Sequence, residues 1–592
     1  MSKPGGREDK GHQKIDVAVV GGGVAGVYAT WRLATSRGGD GVHLFESTNR
    51  LGGRLKTLDL FPMLKFPLEL GAMRYKRGHF LLDGLIEYLR LESAELDTSD
   101  CNYFLRGCRL PTAAHLGSGA NKKGFSGPYK LSEKENSFAA NLIKLAIVEA
   151  LGSLEFSLPK REARKMKESI KDHIERDDLE NLDWQTIVNE GSIQYKPYGK
   201  ITNIHFYDVG FWNLLQHFLS NEAVLLIHDS LGYESIVSNW NAAAAVPWFV
   251  ADFAKQQEWR VPCEGFENLI NQLVDRLPSE GNSISLDHHL ERVIPTKDGA
   301  YNWQLEFRSD GSKKTFLAKE VILALPRRAL ENLQVEDTEW SEIKRYYVSA
   351  VAPHKLFKFL LVYEEPWWTE LTFPGTDFGR VTTDLPIRQV YYYGPEWIEK
   401  HAPQRLRKRS KKSWAVVMAS YSDSHYVKFW STFSSQNLLS AEALSDRHFC
   451  KPTGWKAMRP AEKKQLLQLK DQHGARWRMI MKIQSLLAEL HSVELEKIPQ
   501  PIVGFFMDWG EDPYQGGWHT WEVHRRASQV SEKMLQPIPD KGLYICGEAY
   551  SSEQGWIEGA LKSTERVLVE KLSLSTPESW SASVDFDSYI KS

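Results

Sequence analysis

Cysteine is scarce. The 592 residues contain five, Cys101, Cys108, Cys263, Cys450 and Cys546, with no C-x2-C pair and an odd total. That excludes a disulfide framework or a cysteine-built metal centre as the organising feature, and no metal site is expected. Net charge is also nearly absent. Lys plus Arg number 74 against 76 Asp plus Glu, a formal charge of −2, so no excess charge calls for nucleic acid or an anionic membrane surface. No apolar run approaches the ~18 residues of a membrane span. The first fourteen residues are polar and lack the apolar core of a secretory signal, which makes a cytoplasmic location the expectation. A hydrophobic content of 42% with 25% charged residues fits a globular chain, and its length calls for more than one domain.

What is present is concentrated in residues 15–46. Ile15, Val17, Val19 and Val20 form a β-branched run suited to a buried parallel strand. Gly21, Gly23 and Gly26 fill the three positions of G-x-G-x-x-G, with Val24 and Ala25 between them. The first glycine allows a tight turn, the second a close approach of pyrophosphate to backbone, and the third close helix–strand packing. Ala29 and Leu33 continue an apolar helix face. Val42, Leu44 and Phe45 then make a second strand closed by Glu46, twenty positions after Gly26, where a carboxylate can accept hydrogen bonds from a ribose diol. With both strands, the helix and the acid in register, the unit reads as dinucleotide-binding.

Two further elements identify the dinucleotide. Arg50-Leu51-Gly52-Gly53-Arg54 follows Glu46, and Glu69-Leu70-Gly71-Ala72-Met73-Arg74 comes next. Together these resemble the flavin-containing amine oxidase family, and within it the L-amino-acid oxidases. The first resembles an E-x3-R-x-GGR element whose second arginine, here Arg54, lies along the flavin. The second resembles G-x-M-R, whose backbone passes the flavin ring. The resemblance implies FAD.

It also implies an α/β fold: an interrupted Rossmann-like FAD-binding domain, a mixed-sheet substrate domain and a helical insertion. The expected division is a leader at 1–14, FAD domain at 15–95, 256–335 and 501–575, substrate domain at 96–132 and 336–500, helical insertion at 133–255, and a tail at 576–592. Within the insertion, helices are expected at 139–154, 161–177, 209–219 and 235–253. The basic run 405–412 reads as a solvated loop.

The remaining site residues are implied by the family pattern. Lys358 stands ten positions before Trp368 in an apolar stretch, the spacing of a lysine that reaches flavin N5 through a water. Arg74 would pair with a substrate carboxylate, with a hydroxyl from Tyr392 or its competitor Tyr391. Val293 would hold adenine through its backbone. Gly71, Ala72, Met73, Trp509 and Glu548 would line the cofactor, and Trp556 with Ile557 would open the last helix beside it. Trp556 would form one wall of an aromatic cage. His519 occupies the place of the other wall, as a catalytic candidate or a plain structural histidine, and Trp518 stands where monoamine oxidases attach flavin through cysteine. Non-covalent FAD is therefore expected.

The chemistry that follows is oxidation of an L-amino acid by dioxygen to a 2-oxo acid, ammonia and hydrogen peroxide. Two alternatives stay open: a flavin monooxygenase that decarboxylates the amino acid to an amide, and a flavoprotein without catalysis. A small-molecule amino acid and dioxygen are the expected partners, and a homodimer is left open.

Overall fold

The computed structural model describes residues 13–36, 41–61, 63–97, 101–110, 127–195, 202–235, 238–253, 258–278, 282–297, 299–371, 373, 375–407, 414–434, 459–511, 513–577 and 585–591. Leader residues 1–12, positions 408–412 of the basic run, Cys450 and tail residues 578–584 and 592 lie outside them.

The dinucleotide unit comprises β1 (Gln13–Val20), α1 (Val24–Ser36) and β2 (Val42–Phe45). β1 is covered on both faces. Val17 and Val19 pack with Leu33 and Leu44 on one side, while Ala18 and Val20 join a second core on the other, as a central parallel strand requires. β1 pairs in parallel with β2 and with strand Ser312–Leu323. Asn282–Ser285 extends the sheet beyond β2, and Leu543–Ile545 pairs in parallel with the far end of Ser312–Leu323. Trp303–Ser309 and His289–Pro295 complete its antiparallel side. Gln334–Val335 pairs in parallel with His289–Pro295 at the edge, and these eight strands come from three separated stretches of chain.

A second, seven-stranded sheet runs in the order Val503–Asp508, Leu356–Tyr363, Ala415–Asp423, Gln389–Tyr393, Phe378–Thr383, Cys101–Leu105, Cys108–Leu110. Both its faces are buried. Phe357, Phe359 and Tyr392 meet helix Trp477–His491 on one side; Leu360, Val362 and Tyr391 face Leu58 and Leu60 on the other. Two expectations need correction here. Val503–Asp508 was assigned to the FAD domain, yet it pairs with Leu356–Tyr363. The 133–255 segment also carries a three-stranded sheet, Leu154–Phe156, Gly191–Tyr195 and Thr202–His205.

The helices of that segment are Ala139–Gly152, Lys160–Arg176, Trp184–Glu190, Phe211–Phe218, Asn221–Leu231 and Ala242–Phe253. Asn221–Leu231 was not expected. It starts at Ser220, whose hydroxyl accepts from the Ala223 N–H, as an N-cap does. The expected helix from 235 begins only at Ala242, because the Asp423 carboxylate takes the backbone N–H groups of Glu234 and Ser235. No helix among the described residues is long and apolar enough to cross a membrane.

α1 is locked to the C-terminal helix Ile557–Arg566 by a buried charge. Glu565 accepts from Arg32 Nε at 2.7 Å and from the Tyr28 hydroxyl at 2.6 Å, and its side chain is fully enclosed. Arg32→Met leaves a buried carboxylate without its cation, so stability should fall by about 3–5 kcal/mol. Thermal melting of the purified variant checks this, and adding Glu565→Leu should recover part of the loss. An unchanged melting point would show that the pair contributes nothing to the lock.

Candidate active site

The glycine turn fits its assigned task. Gly21 has φ +108°, and a Cβ there would sit 2.4 Å from the Ala324 carbonyl oxygen; a Cβ on Gly26 would sit 1.9 Å from the Gly21 carbonyl. Those two glycines hold the turn tight. Gly23 differs, since a Cβ there would meet nothing within 4 Å: its neighbourhood is open space at the N-terminus of α1. Backbone N–H groups at a helix start are where an anion is favoured.

That opening is one end of a cavity of about 1120 Å³, larger than the roughly 300–1,000 Å³ of a single small-molecule site. Gly21, Gly23, Val24, Ala25 and Glu46 line the first end; Gly26 packs behind it. Glu46 Oε2 accepts from the Gly22 N–H at 2.6 Å and Oε1 from the Thr48 N–H at 2.8 Å, which fixes the carboxylate at the cavity wall. Val293 does not reach it. Its side chain is fully buried and its carbonyl accepts from the Glu336 N–H at 2.9 Å. The wall is formed instead by His289, Leu290, Glu291 and Arg292 at the start of the same strand.

The middle of the cavity is held by one acid. Glu548 accepts from Arg54 Nη1 at 2.6 Å and from the Gly555 N–H at 2.9 Å, and lies 2.5 Å from His519 Nδ1. Burial alone would raise its pKa. The charges of His519 and Arg54 and these hydrogen bonds more than offset burial and hold the carboxyl well below the usual carboxylate range. His519 thus sits behind Glu548, buried and off the cavity wall. The neighbouring Trp518 lines the cavity, because consecutive strand residues point to opposite faces. The second aromatic wall is Trp518, not His519. Trp556 lines the cavity beside Ile557, stacked on Trp259 with centroids 5.6 Å apart. None of the four described cysteines lines the cavity.

Gly71, Ala72 and Met73 pass along the wall. Gly71 is packed so closely that a Cβ would sit 1.9 Å from the Arg54 carbonyl. Trp509 anchors this segment by donating from Nε1 to the Leu70 carbonyl at 2.8 Å. Arg74 follows, its guanidinium 4.2 Å from the Trp259 ring centroid. It forms no hydrogen bond or ion pair with any described residue, and it faces the cavity.

Lys358 enters from the second sheet, cross-strand from Tyr421, with Nζ 4.7 Å from that ring's centroid. Nζ donates to the carbonyls of Gly71 and Glu69. Burial depresses its pKa; nearby Glu69 opposes the shift and Arg74 adds to it. A neutral amine has two N–H donors, matching these two carbonyls, and keeps a lone pair for a water or substrate proton.

Tyr392 lies one residue out of phase. Its hydroxyl sits 2.8 Å from His491 Nε2 on the far face of the sheet. Its competitor Tyr391 lies on the cavity side of the sheet and donates to Gln389 Oε1 at 3.2 Å. The tyrosines that line the cavity are Tyr75, Tyr103, Tyr233, Tyr421 and Tyr514. Trp248, Trp259 and Arg380 were likewise not foreseen.

An extended cavity lined by a glycine turn and helix start, a buried lysine and the tryptophans Trp518 and Trp556 defines a dinucleotide-dependent oxidoreductase. Residues 24–441 match the model of the flavin containing amine oxidoreductases, and the chain belongs to that family. It is 24% identical to achacin of Lissachatina fulica, covering 94% of this chain and 92% of achacin. It is also 24% identical to aplysianin-A of Aplysia kurodai, over 94% and 90%. A putrescine oxidase redesigned in its cofactor binding superposes with a TM-score of 0.57, at 16% identity, over 95% of this chain and all of that one. The cofactor is FAD. The open Gly23 cradle, Glu46, Arg54 with Glu548, and the Gly71–Met73 backbone are the residues that would hold it.

Lys358→Met should leave FAD content and melting temperature nearly unchanged while slowing flavin reduction, reoxidation or both. Because the neutral amine carries the lone pair, the wild-type reduction rate should fall as pH drops through the depressed Lys358 pKa. That limb lies below the ordinary lysine value near ~10.4 and should be missing in the variant. Stopped-flow traces across pH check this; identical profiles in both proteins would remove Lys358 from the chemistry.

Proposed function

We propose that the protein is an L-amino-acid oxidase, converting an L-amino acid, dioxygen and water to the 2-oxo acid, ammonia and hydrogen peroxide. The observation that carries this reading is Arg74, a cavity-facing guanidinium with no anionic partner among the described residues. A cation enclosed in this way costs stability unless something compensates it, and a substrate carboxylate does so with a bidentate charge-assisted pair. An amine lacking that carboxylate leaves Arg74 as it stands.

Bound FAD supplies the two-electron acceptor and is returned to its oxidised state by dioxygen. The protein's own contribution is positional. Arg74 fixes the carboxylate, which orients the α-carbon. Trp518 and Trp556 wall the reacting centre and keep bulk water out. Lys358, anchored by the Gly71 and Glu69 carbonyls, offers its lone pair to the proton that leaves the substrate ammonium. Holding the reacting groups in this geometry supplies much of the rate.

Arg74→Ala removes one member of the substrate ion pair. A loss of about 3–5 kcal/mol corresponds to roughly two to four orders of magnitude, so kcat/KM for L-amino acids should drop at least about a hundredfold, with FAD still bound. Steady-state peroxide assays on a substrate panel measure it. A drop below about threefold would detach Arg74 from the carboxylate.

A further inference from the structure

Six arginines line the cavity, and four are matched to acids. Arg54 meets Glu548 at 2.6 Å, Arg292 meets Glu306 at 2.9 Å, Arg308 meets Glu291 at 2.9 Å, and Arg328 meets Glu331 at 2.9 Å. The remaining two, Arg74 and Arg380, have no carboxylate partner among the described residues. Arg380 sits on strand Phe378–Thr383 directly across from Tyr391, its guanidinium 6.0 Å from that ring's centroid. Its Nε donates to Cys101 Sγ at 3.1 Å, a weak acceptor for a guanidinium.

The surroundings of Arg380 connect it to Arg74. Tyr391 donates to Gln389 Oε1, Gln389 pairs cross-strand with Tyr421, and Tyr421 meets Tyr233 edge to face at 5.3 Å. Both Tyr421 and Tyr233 lie within electrostatic reach of Arg74. Arg380 also interacts with the Tyr391 hydroxyl, so its partners are neutral ones, and two guanidinia without a carboxylate partner among the described residues line one cavity. Asp252, an acid that also lines the cavity, is already paired with Lys76 at 2.9 Å.

We infer that the substrate class is a dicarboxylic L-amino acid, with its α-carboxylate on Arg74 and its side-chain carboxylate on Arg380. The inference rests on the amino-acid oxidase reading and adds a specificity residue to it. A neutral or cationic side chain would leave Arg380 enclosed and unmatched. A distal carboxylate satisfies it with a charge-assisted pair, worth about ten- to a hundredfold in binding.

The test compares L-glutamate with its near-isosteric neutral amide, L-glutamine. Wild type should favour L-glutamate in kcat/KM by at least about tenfold, and Arg380→Met should bring that ratio close to one. As a binding readout independent of turnover, calorimetric titration of the FAD-loaded wild type should show glutarate binding at least about tenfold tighter than butyrate. That titration also decides the matter if Arg380→Met fails to fold. Turnover of L-leucine or L-glutamine equal to or above L-glutamate, or glutarate binding no tighter than butyrate, would overturn the inference while leaving the oxidase reading intact. If no L-amino acid is oxidised, the oxidase reading falls, and the glutarate comparison still decides whether the two arginines hold a dicarboxylate.

Discussion

A guanidinium stacked on Trp259 with no acid beside it is the constraint on which the reading of this protein depends. Other charged groups around the cavity are matched or neutralised: Lys76 by Asp252, Glu548 by Arg54, and Lys358 and Glu69 by burial that favours their neutral forms. Placing a bare cation in such a setting is expensive, and the fold does it through backbone. Gly71 runs against the Arg54 carbonyl and Trp509 pins Leu70, which fixes the backbone just ahead of Arg74.

The same segment links the two sheets. Lys358 comes from the second sheet and donates to carbonyls of the 69–71 strand end, while Arg54, just before it in the chain, reaches Glu548 ahead of the C-terminal helix. Glu548 is held by contacts from Arg54, His519 and the Gly555 N–H, so one ionised carboxylate ties three distant parts of the chain at the middle of the cavity. The aromatic walls follow from this arrangement. With His519 drawn back to Glu548, strand alternation turns Trp518 toward the cavity that Trp556 also lines.

What could be read from sequence was what is encoded locally. The glycine turn, β1, α1 and β2 depend on residues within thirty-odd positions of one another, and each glycine position has a steric reason visible in the pattern. Arg74 and Lys358 were also reachable through short motifs. The misassigned residues share a different cause. Tyr392 and His519 are each one residue out of phase, and in a strand one residue is the difference between facing the cavity and facing away; only the cross-strand register settles the phase. Val293 lies one position beyond the strand residues that line the cavity, His289 to Arg292. Trp248, Tyr233 and Arg380 reach the cavity from a helix, a loop and a strand, and Trp259 backs Arg74 and Trp556. No short motif announces them, because their proximity exists only after the sheets assemble. Helix Asn221–Leu231 had a usable signal in the Ser220 cap, whereas the hold on the Glu234 and Ser235 backbone comes from Asp423, almost two hundred residues away.

We propose that this cavity selects a carboxylate next to the amine. The most direct measurement is turnover by the wild-type, FAD-loaded enzyme of an L-amino acid beside the amine made by its decarboxylation, with hydrogen peroxide and 2-oxo acid followed together. The account predicts stoichiometric peroxide and 2-oxo acid from the amino acid, and turnover of the amine lower by at least about a hundredfold, the weight of a lost charge pair. Equal turnover of the two would contradict it and make the protein a simple amine oxidase.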